Sequence, residues 1–293
     1  MADIKYCVST YSFNKLMKKG EMTQFDTIKK AKEMGFDGIE VVELMAPEGE
    51  DIKSYAKRFK EECDRVGIEI ANFCMGASLI VPKVTDTIEA EMERIKKVID
   101  AAQILGVKTM RHDAANDIGD YVTFEAALPE LSKRVREIAE YAEKKGIKTT
   151  VENHGYLVQD ALRVEKLLTA VNHKNFGLLL DMGNFMCAGD DLKKSASLIA
   201  PYAVMVHAKD FYYKSGDGMS PGEQFIQVRD GSYIKGAILG HGVVPVVQIL
   251  RALKKADYKG WISLEYEGYE NVLEGIRIGY DNLKRYTEAV YNG

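Results

Sequence analysis

The chain repeats one short-range pattern eight times: a brief apolar or β-branched run, then a longer stretch of helical, amphipathic period. The apolar runs are "IKYCVST", "GIEVVEL", "IEIANFC", "VKTMRHD", "IKTTVEN", "FGLLLDM", "YAVMVHAKD" and "WISLEYEG". Helices are expected around 22–34, 51–66, 86–105 and 270–291, with further helical patterns after the other runs. Four junctions share one punctuation, "KEMGFDG", "DRVGIE", "QILGVK" and "EKKGIK", in which a glycine takes the left-handed helix end and an apolar strand starts at once. Strands alternating with helices of this length imply a parallel sheet, and eight units imply closure into a single (β/α)8 barrel of the α/β class, a TIM barrel. An open doubly wound sheet is the alternative, but no G-x-G-x-x-G follows the first strand. No Pro- or Ser-rich linker divides the 293 residues, so 1–293 reads as one domain. The one long irregular segment, 211–240 after the seventh strand, is expected to be a lid.

Composition removes several classes of function. A net charge of -4 with 29% charged residues gives no broad basic field for nucleic acid. No run approaches the roughly 18 apolar residues of a membrane span, and "MADIKYCVSTYSF" lacks the apolar core of a signal peptide, so a cytoplasmic location is expected. Cys7, Cys63, Cys74 and Cys187 are scattered without a C-x-x-C pair and read as free thiols in a reducing compartment.

Catalytic residues of such barrels sit at the C-terminal ends of the strands. Glu152 ends the fifth strand, Asp181 the sixth, His207 the seventh and Glu265 the eighth. Any one of these acids alone could cap a helix or form an ion pair. Three carboxylates converging without a cation would repel one another, so the set of four makes physical sense around one divalent metal. Three carboxylates and an imidazole suit a borderline-hard ion such as Mn²⁺, with Mg²⁺, Co²⁺ and Zn²⁺ as alternatives. Strand alternation places His154 on the same side as Glu152, as a further acid/base candidate or as a residue that orients Glu152. His112 borders the same mouth or bonds a loop. Lys209, two residues beyond His207, faces inward to bind a substrate hydroxyl, carboxylate or phosphate, or pairs with an acidic loop residue. Glu40 and Glu43 read as structural ion-pair residues, His173 as a solvated turn residue, and His241 as a loop or lid residue.

In that order, "VENHG", "LLDMGN", "VHAKD" and "ISLEYEG" resemble the xylose isomerase-like superfamily, in particular its sugar phosphate isomerase/epimerase branch. The resemblance covers the whole chain as a barrel, with the specific matches in its second half. It implies one divalent metal held by Glu152, Asp181, His207 and Glu265, with Glu152 and Glu265 also moving the substrate proton. The chain departs from the ketose 3-epimerase pattern at two places, where Asn184 and Tyr213 replace a histidine and an arginine. Endonuclease IV-type relatives would carry a histidine at 184 and a His-rich loop after the seventh strand; the 211–240 segment has no histidine.

The expected activity is therefore a metal-dependent isomerase or epimerase of a sugar or sugar derivative. A cation would acidify the C–H beside a carbonyl by neutralising the developing enediolate charge. Expulsion of a β-substituent from the same species gives the alternative, a lyase or dehydratase acting on a keto-sugar, keto-glycoside or inosose. A third reading is a carbohydrate-binding or accessory subunit. Substrate-binding candidates are His112, Lys209, Asn184 and Arg229. Arg229 lies in the long segment with Lys214, Lys235 and several aromatics, a composition suited to gripping a polar ring or to contacts in a homo-oligomer. The partner expected is a small sugar-like molecule, with no nucleic acid or membrane.

Overall fold

The computed structural model describes residues 4–292. Eight parallel strands close a barrel: β1 (Ile4–Ser9), β2 (Gly38–Val42), β3 (Glu69–Met75), β4 (Thr109–His112), β5 (Lys148–Glu152), β6 (Phe176–Asp181), β7 (Ala203–Ala208) and β11 (Gly260–Leu264). Closure comes from β1 against β11, with Cys7 opposite Ser263. All eight apolar runs of the sequence become barrel strands, so the closed parallel barrel agrees with the expectation.

The helices are α1 (Asn14–Lys18), α2 (Gln24–Glu33), α3 (Ile52–Val66), α4 (Ile88–Leu105), α5 (Phe124–Glu143), α6 (Ala161–Val171), α7 (Leu192–Ile199), α8 (Val246–Lys255) and α9 (Val272–Tyr291). Their boundaries are set by local chemistry. Thr23 and Asp26 form a reciprocal capping box at the start of α2, and Asp51 accepts from two backbone N–H groups at the start of α3. Gly67 closes α3 at φ 73°, a left-handed conformation that costs a side-chain-bearing residue and lets the next strand begin two residues later. None of the described helices is long and apolar enough to cross a membrane.

Two layers of core result. Between helices and sheet lie buried Phe59, Phe73, Ile95, Ile99, Leu131 and Val164, among others. Inside the barrel, Cys7, Ala71, Cys74, Leu179 and Met205 form a small separate apolar cluster that fills the interior. The polar strand-end residues lie beyond this cluster, towards the C-terminal ends of the strands.

The segment expected to be irregular is so only in part, between three short strands. β8 (Asp210–Lys214), β9 (Ile226–Gln227) and β10 (Tyr233–Ala237) form a three-stranded antiparallel sheet in the order β8-β10-β9. Ile234 on β10 is fully buried while Tyr213, opposite it on β8, is exposed, so the sheet packs unevenly against the barrel. Two devices seat the sheet. The Asp210 carboxylate accepts backbone N–H groups from Phe211, Gly240, Gly242 and Val244, joining the start of the segment to its end. Gly236 brings β10 against the Glu267 carbonyl, where any Cβ would collide.

Candidate metal centre and active site

β5, β6, β7 and β11 are neighbours in the closed sheet, so their ends bring Glu152, Asp181, His207 and Glu265 together. One ligating atom from each lies within 4.8 Å of all the others. His207 Nδ1 is the hub: it stands 3.6 Å from Glu152 Oε1, 3.7 Å from Asp181 Oδ2 and 3.6 Å from Glu265 Oε2. These distances are too long for hydrogen bonds and leave room for a shared ion between the atoms. Neither His207 Nδ1 nor Asp181 Oδ2 has a hydrogen-bond partner although both are buried. Buried polar atoms left without partners are costly, and a divalent cation satisfies both at once. The donor set fits the group that the sequence implied.

Each ligand is fixed by its neighbours. Asp181 Oδ1 accepts from the N–H groups of Gly183 and Asn184, both at 2.8 Å, which turns Oδ2 towards the other ligands. The Asn153 side chain accepts from Asp181 N–H and donates to the Asp181 carbonyl, extending the β5–β6 ladder past its last backbone pair. Asn184 donates to Glu152 Oε1 at 2.9 Å. On the far side of His207, Nε2 lies 2.8 Å from Glu40 Oε2, and Glu40 also receives Asn72 and Ser263. Carboxylate–imidazole contacts of this kind fix the ring and raise its strength as a ligand. A register shift after Ile39 sets Glu40 opposite Asn72. The structural ion-pair role expected for Glu40 is realised, with His207 as its partner. Glu43 accepts instead from the Gly76 N–H.

Two cations border the acids. Arg111 Nε lies 2.9 Å from Glu152 Oε2, and its NH1 reaches Asp113 at 3.1 Å. Lys209 Nζ lies 2.6 Å from Glu265 Oε2, 3.2 Å from Glu267 and 3.5 Å from Asp181. Burial pushes the Asp181 carboxyl up to about 6, with the Glu152 and Glu265 charges adding to it against Lys209. Burial also acts to raise Glu152 and Glu265, but Arg111 and His207 hold the first down, and Lys209 and His207 hold the second down. Burial alone would lower His207, yet Glu40, Glu265 and Glu152 push it well above its ordinary value. The carboxylates outnumber the cations, so the pocket holds a surplus of negative charge suited to a divalent ion.

His154 reaches the Glu152 side through a turn rather than through strand alternation, and a ring nitrogen lies within 4.8 Å of carboxylate oxygens of Glu152 and Asp113. The strand stops first: the His154 N–H bonds the Glu152 carbonyl in a tight turn, and its Nδ1 meets Asp113 Oδ1 at 2.9 Å. The side chain is 43% exposed, at the rim of the mouth. Lys209 and Asn184 both reach the cluster.

Other candidates lie elsewhere. His112 is fully buried, its Nδ1 within 3.0 Å of the Asp113 carbonyl and its ring against Phe176. His112 thus takes the second of its two expected roles, bonding the loop after β4, and its neighbours Arg111 and Asp113 are the ones that meet Glu152 and His154. The missed signal was an Arg and an Asp two apart at a strand end, the counter-charge that a carboxylate cluster requires. Arg229 contacts Asp160 at 3.2 Å and the Tyr156 carbonyl, and lies over the Tyr156 ring. It ties the small sheet to the β5–α6 connection rather than to the cluster. His173 is largely buried, accepting from Asn175 N–H beside Glu143, and is not a solvated turn residue. His241 is exposed in the turn after β10.

The sequence profile of the xylose isomerase-like TIM barrel matches residues 28–286. The chain belongs to this family. Within the xylose isomerase-like barrels, it is 25% identical over 248 residues to inosose dehydratase 2 of Bacillus cereus (strain ZK / E33L), covering 80% of this chain and 78% of that one. Among solved structures, an L-ribulose 3-epimerase superposes with a TM-score of 0.73 at 15% identity, covering 100% of this chain and 96% of the other. The IOLI protein, whose crystal structure contains a bound zinc atom, gives a TM-score of 0.73 at 16% identity, covering 99% and 100%. At these identities the two structures speak for the shared fold.

Proposed function

We propose that the protein is a divalent-metal-dependent lyase that removes water from a keto-cyclitol or keto-sugar. The observation that carries the reading is the convergence of Glu152, Asp181, His207 and Glu265 on one buried point in a chain similar to inosose dehydratases over four-fifths of its length. A divalent ion bound there supplies the positive charge that acidifies a C–H beside a carbonyl.

The chain's own groups supply the proton movements. Glu152, clamped by Arg111 and Asn184, holds position. His154, with Nδ1 taken by Asp113, has its other ring nitrogen free to take the proton from carbon. As that C–H bond breaks, its electron pair forms the C=C bond, and the β C–O bond breaks. The departing hydroxyl receives a proton from the Lys209–Glu265 pair and leaves as water.

A second reading has its own observation. Glu152 and Glu265 stand on strands separated by β6 and β7, on two sides of the cluster. Two carboxylates so placed suit removal of a proton on one face of a ring and its return on the other, the epimerase or isomerase reading. Incubating the Mn²⁺- or Zn²⁺-loaded protein in D₂O with 2-keto-inositol and a ketose panel separates the two. Loss of water from the inosose supports the lyase; deuterium uptake with no group lost supports the epimerase. Neither outcome from a metal-loaded protein would reject both.

A further inference from the structure

Beside the metal cluster lies a cavity of about 240 Å³ under the small sheet. Glu267 lines it and stands 3.2 Å from the Lys209 ammonium, which also meets Glu265 at 2.6 Å. The cavity therefore begins where the cluster ends. Tyr11, Phe211, Ile234 and Tyr266 make its body apolar and largely aromatic. Lys15, Lys18 and Lys235 stand on its walls, and the one carboxylate among the lining residues, Glu267, already faces Lys209.

The positions of two ammoniums are informative. Lys15 Nζ donates to the Gly268 carbonyl at 2.5 Å and sits 3.7 Å over the Tyr269 ring. Lys235 Nζ sits 5.3 Å over each of the Tyr212 and Phe225 rings. Neither ammonium closes an ion pair among the described residues: the Glu270 charge acts on both and Glu267 on Lys15, but their direct contacts are a carbonyl and aromatic faces. An ammonium has three donors, so each keeps N–H groups for a ligand. Cation–π contacts hold the long side chains in place beforehand, which reduces the ordering cost of binding an anion. The aromatic faces of Tyr11, Phe211 and Tyr266 favour a flat ring stacked between them, while the lysines at the walls favour a negative charge on it. The volume lies below the roughly 300 Å³ at which pockets for drug-sized ligands begin, room for a single ring.

We propose that this cavity is a second substrate subsite, taking a flat apolar substituent that is carried by the reacting ring and bears an anionic group placed between Lys15 and Lys235. The substrate class is then a ring-bearing conjugate, such as an acidic aryl glycoside, rather than a free monosaccharide. The inference rests on the proposed reading of the metal cluster as the reacting centre, and the test keeps the two apart.

The probes are glucose, phenyl β-D-glucopyranoside and 4-carboxyphenyl β-D-glucopyranoside, titrated calorimetrically into the metal-loaded full chain. The expected order of affinity is carboxyphenyl over phenyl over glucose, with the carboxylate adding roughly tenfold, as for one charge-assisted contact. In the Lys15→Met/Lys235→Met double variant the carboxylate advantage should vanish while the phenyl advantage stays. Equal affinities for all three probes, or a carboxylate preference intact in the double variant, would overturn the subsite. Loss of water from 2-keto-inositol reports on the reaction separately. Water loss without any preference among the glycosides removes the subsite alone. A preserved, lysine-dependent preference without water loss supports the subsite and counts against the proposed reaction.

Discussion

The barrel divides into two arcs that meet at His207. One arc, β5, β6, β7 and β11, contributes the atoms that face a common point: Glu152, Asp181, His207 and Glu265. The other, β1 to β4, contributes none of these, yet its inward residues determine how they are held. Glu40 backs His207 at 2.8 Å, Asn72 orients Glu40, and Arg111 with Asp113 lines up Glu152 and His154. Equivalent strand positions thus carry two kinds of work, presenting ligands on one arc and supplying counter-charge and orientation on the other. A site of this sort depends on both, because buried charges hold their geometry only when their partners are also in place.

The sharpest break in the comparison is at the ligand arc itself. His207→Ala and Asp181→Ala should each remove stoichiometric metal and lower turnover by about 10³-fold or more, since a four-ligand site loses a donor that nothing replaces. Elemental analysis after Mn²⁺ or Zn²⁺ reconstitution, alongside turnover, checks this; full metal occupancy in either variant would move the site elsewhere. On the supporting arc, Arg111→Met strands the buried Glu152 charge and should destabilise the fold by about 3–5 kcal/mol. Urea denaturation with and without metal measures it, and part of the loss should return when the ion is added. Glu40→Gln touches no ligand position but should weaken metal binding about 10–100-fold while leaving one ion per chain at saturation. An unchanged affinity would mean that the second arc is mere packing.

Smaller effects mark the limits of the contrast. Asp210→Asn keeps the shape but changes an acceptor of four backbone N–H groups, and should cost about 1–3 kcal/mol locally. Hydrogen exchange should rise across 210–244 while the barrel strands stay protected. Far from the mouth, Asp100 is held down to about 2 by the Lys145 ammonium, with Lys53 and the Tyr141 hydroxyl assisting. Its folded value lies below its unfolded one, so the stabilisation is present above about pH 4 and is lost as pH falls towards 2. Asp100→Asn should therefore flatten that part of the stability–pH curve by no more than about 1 kcal/mol, as for other pairs near the surface.

Much of this arrangement could be read before any coordinates. The eight apolar runs and their glycine-punctuated helix ends placed every barrel strand, because closure needs only local period and turn chemistry. The convergence of Glu152, Asp181, His207 and Glu265 was legible because each stands at the end of a strand of one continuous arc. Arg111 was not, because its partner Glu152 lies on another strand and because His112 next to it drew attention by residue type. Parity along a four-residue strand decides between them, and the sequence does not announce which residue is the first to point inward. The 211–240 segment was legible only in part for a similar reason. Its strands are short, two to five residues, and pair across an intervening loop whose Gly and Pro content resembles irregular chain. Nothing local distinguishes Arg229 gripping Asp160 from Arg229 gripping a ligand.

Asn153 joins β5 to β6 by standing in for a peptide group, donating to the Asp181 carbonyl and accepting from its N–H. The neighbouring ligands Glu152 and Asp181 are therefore spaced by a short, stiff brace within the barrel wall, independent of anything that covers the mouth. The small sheet, the β5–α6 connection and the lysine-walled cavity, the surfaces proposed to meet a substrate, are attached outside that brace. Such a layout separates two kinds of change: the covering segments can be rebuilt to admit a different substrate while the spacing of the ion's ligands stays as it is.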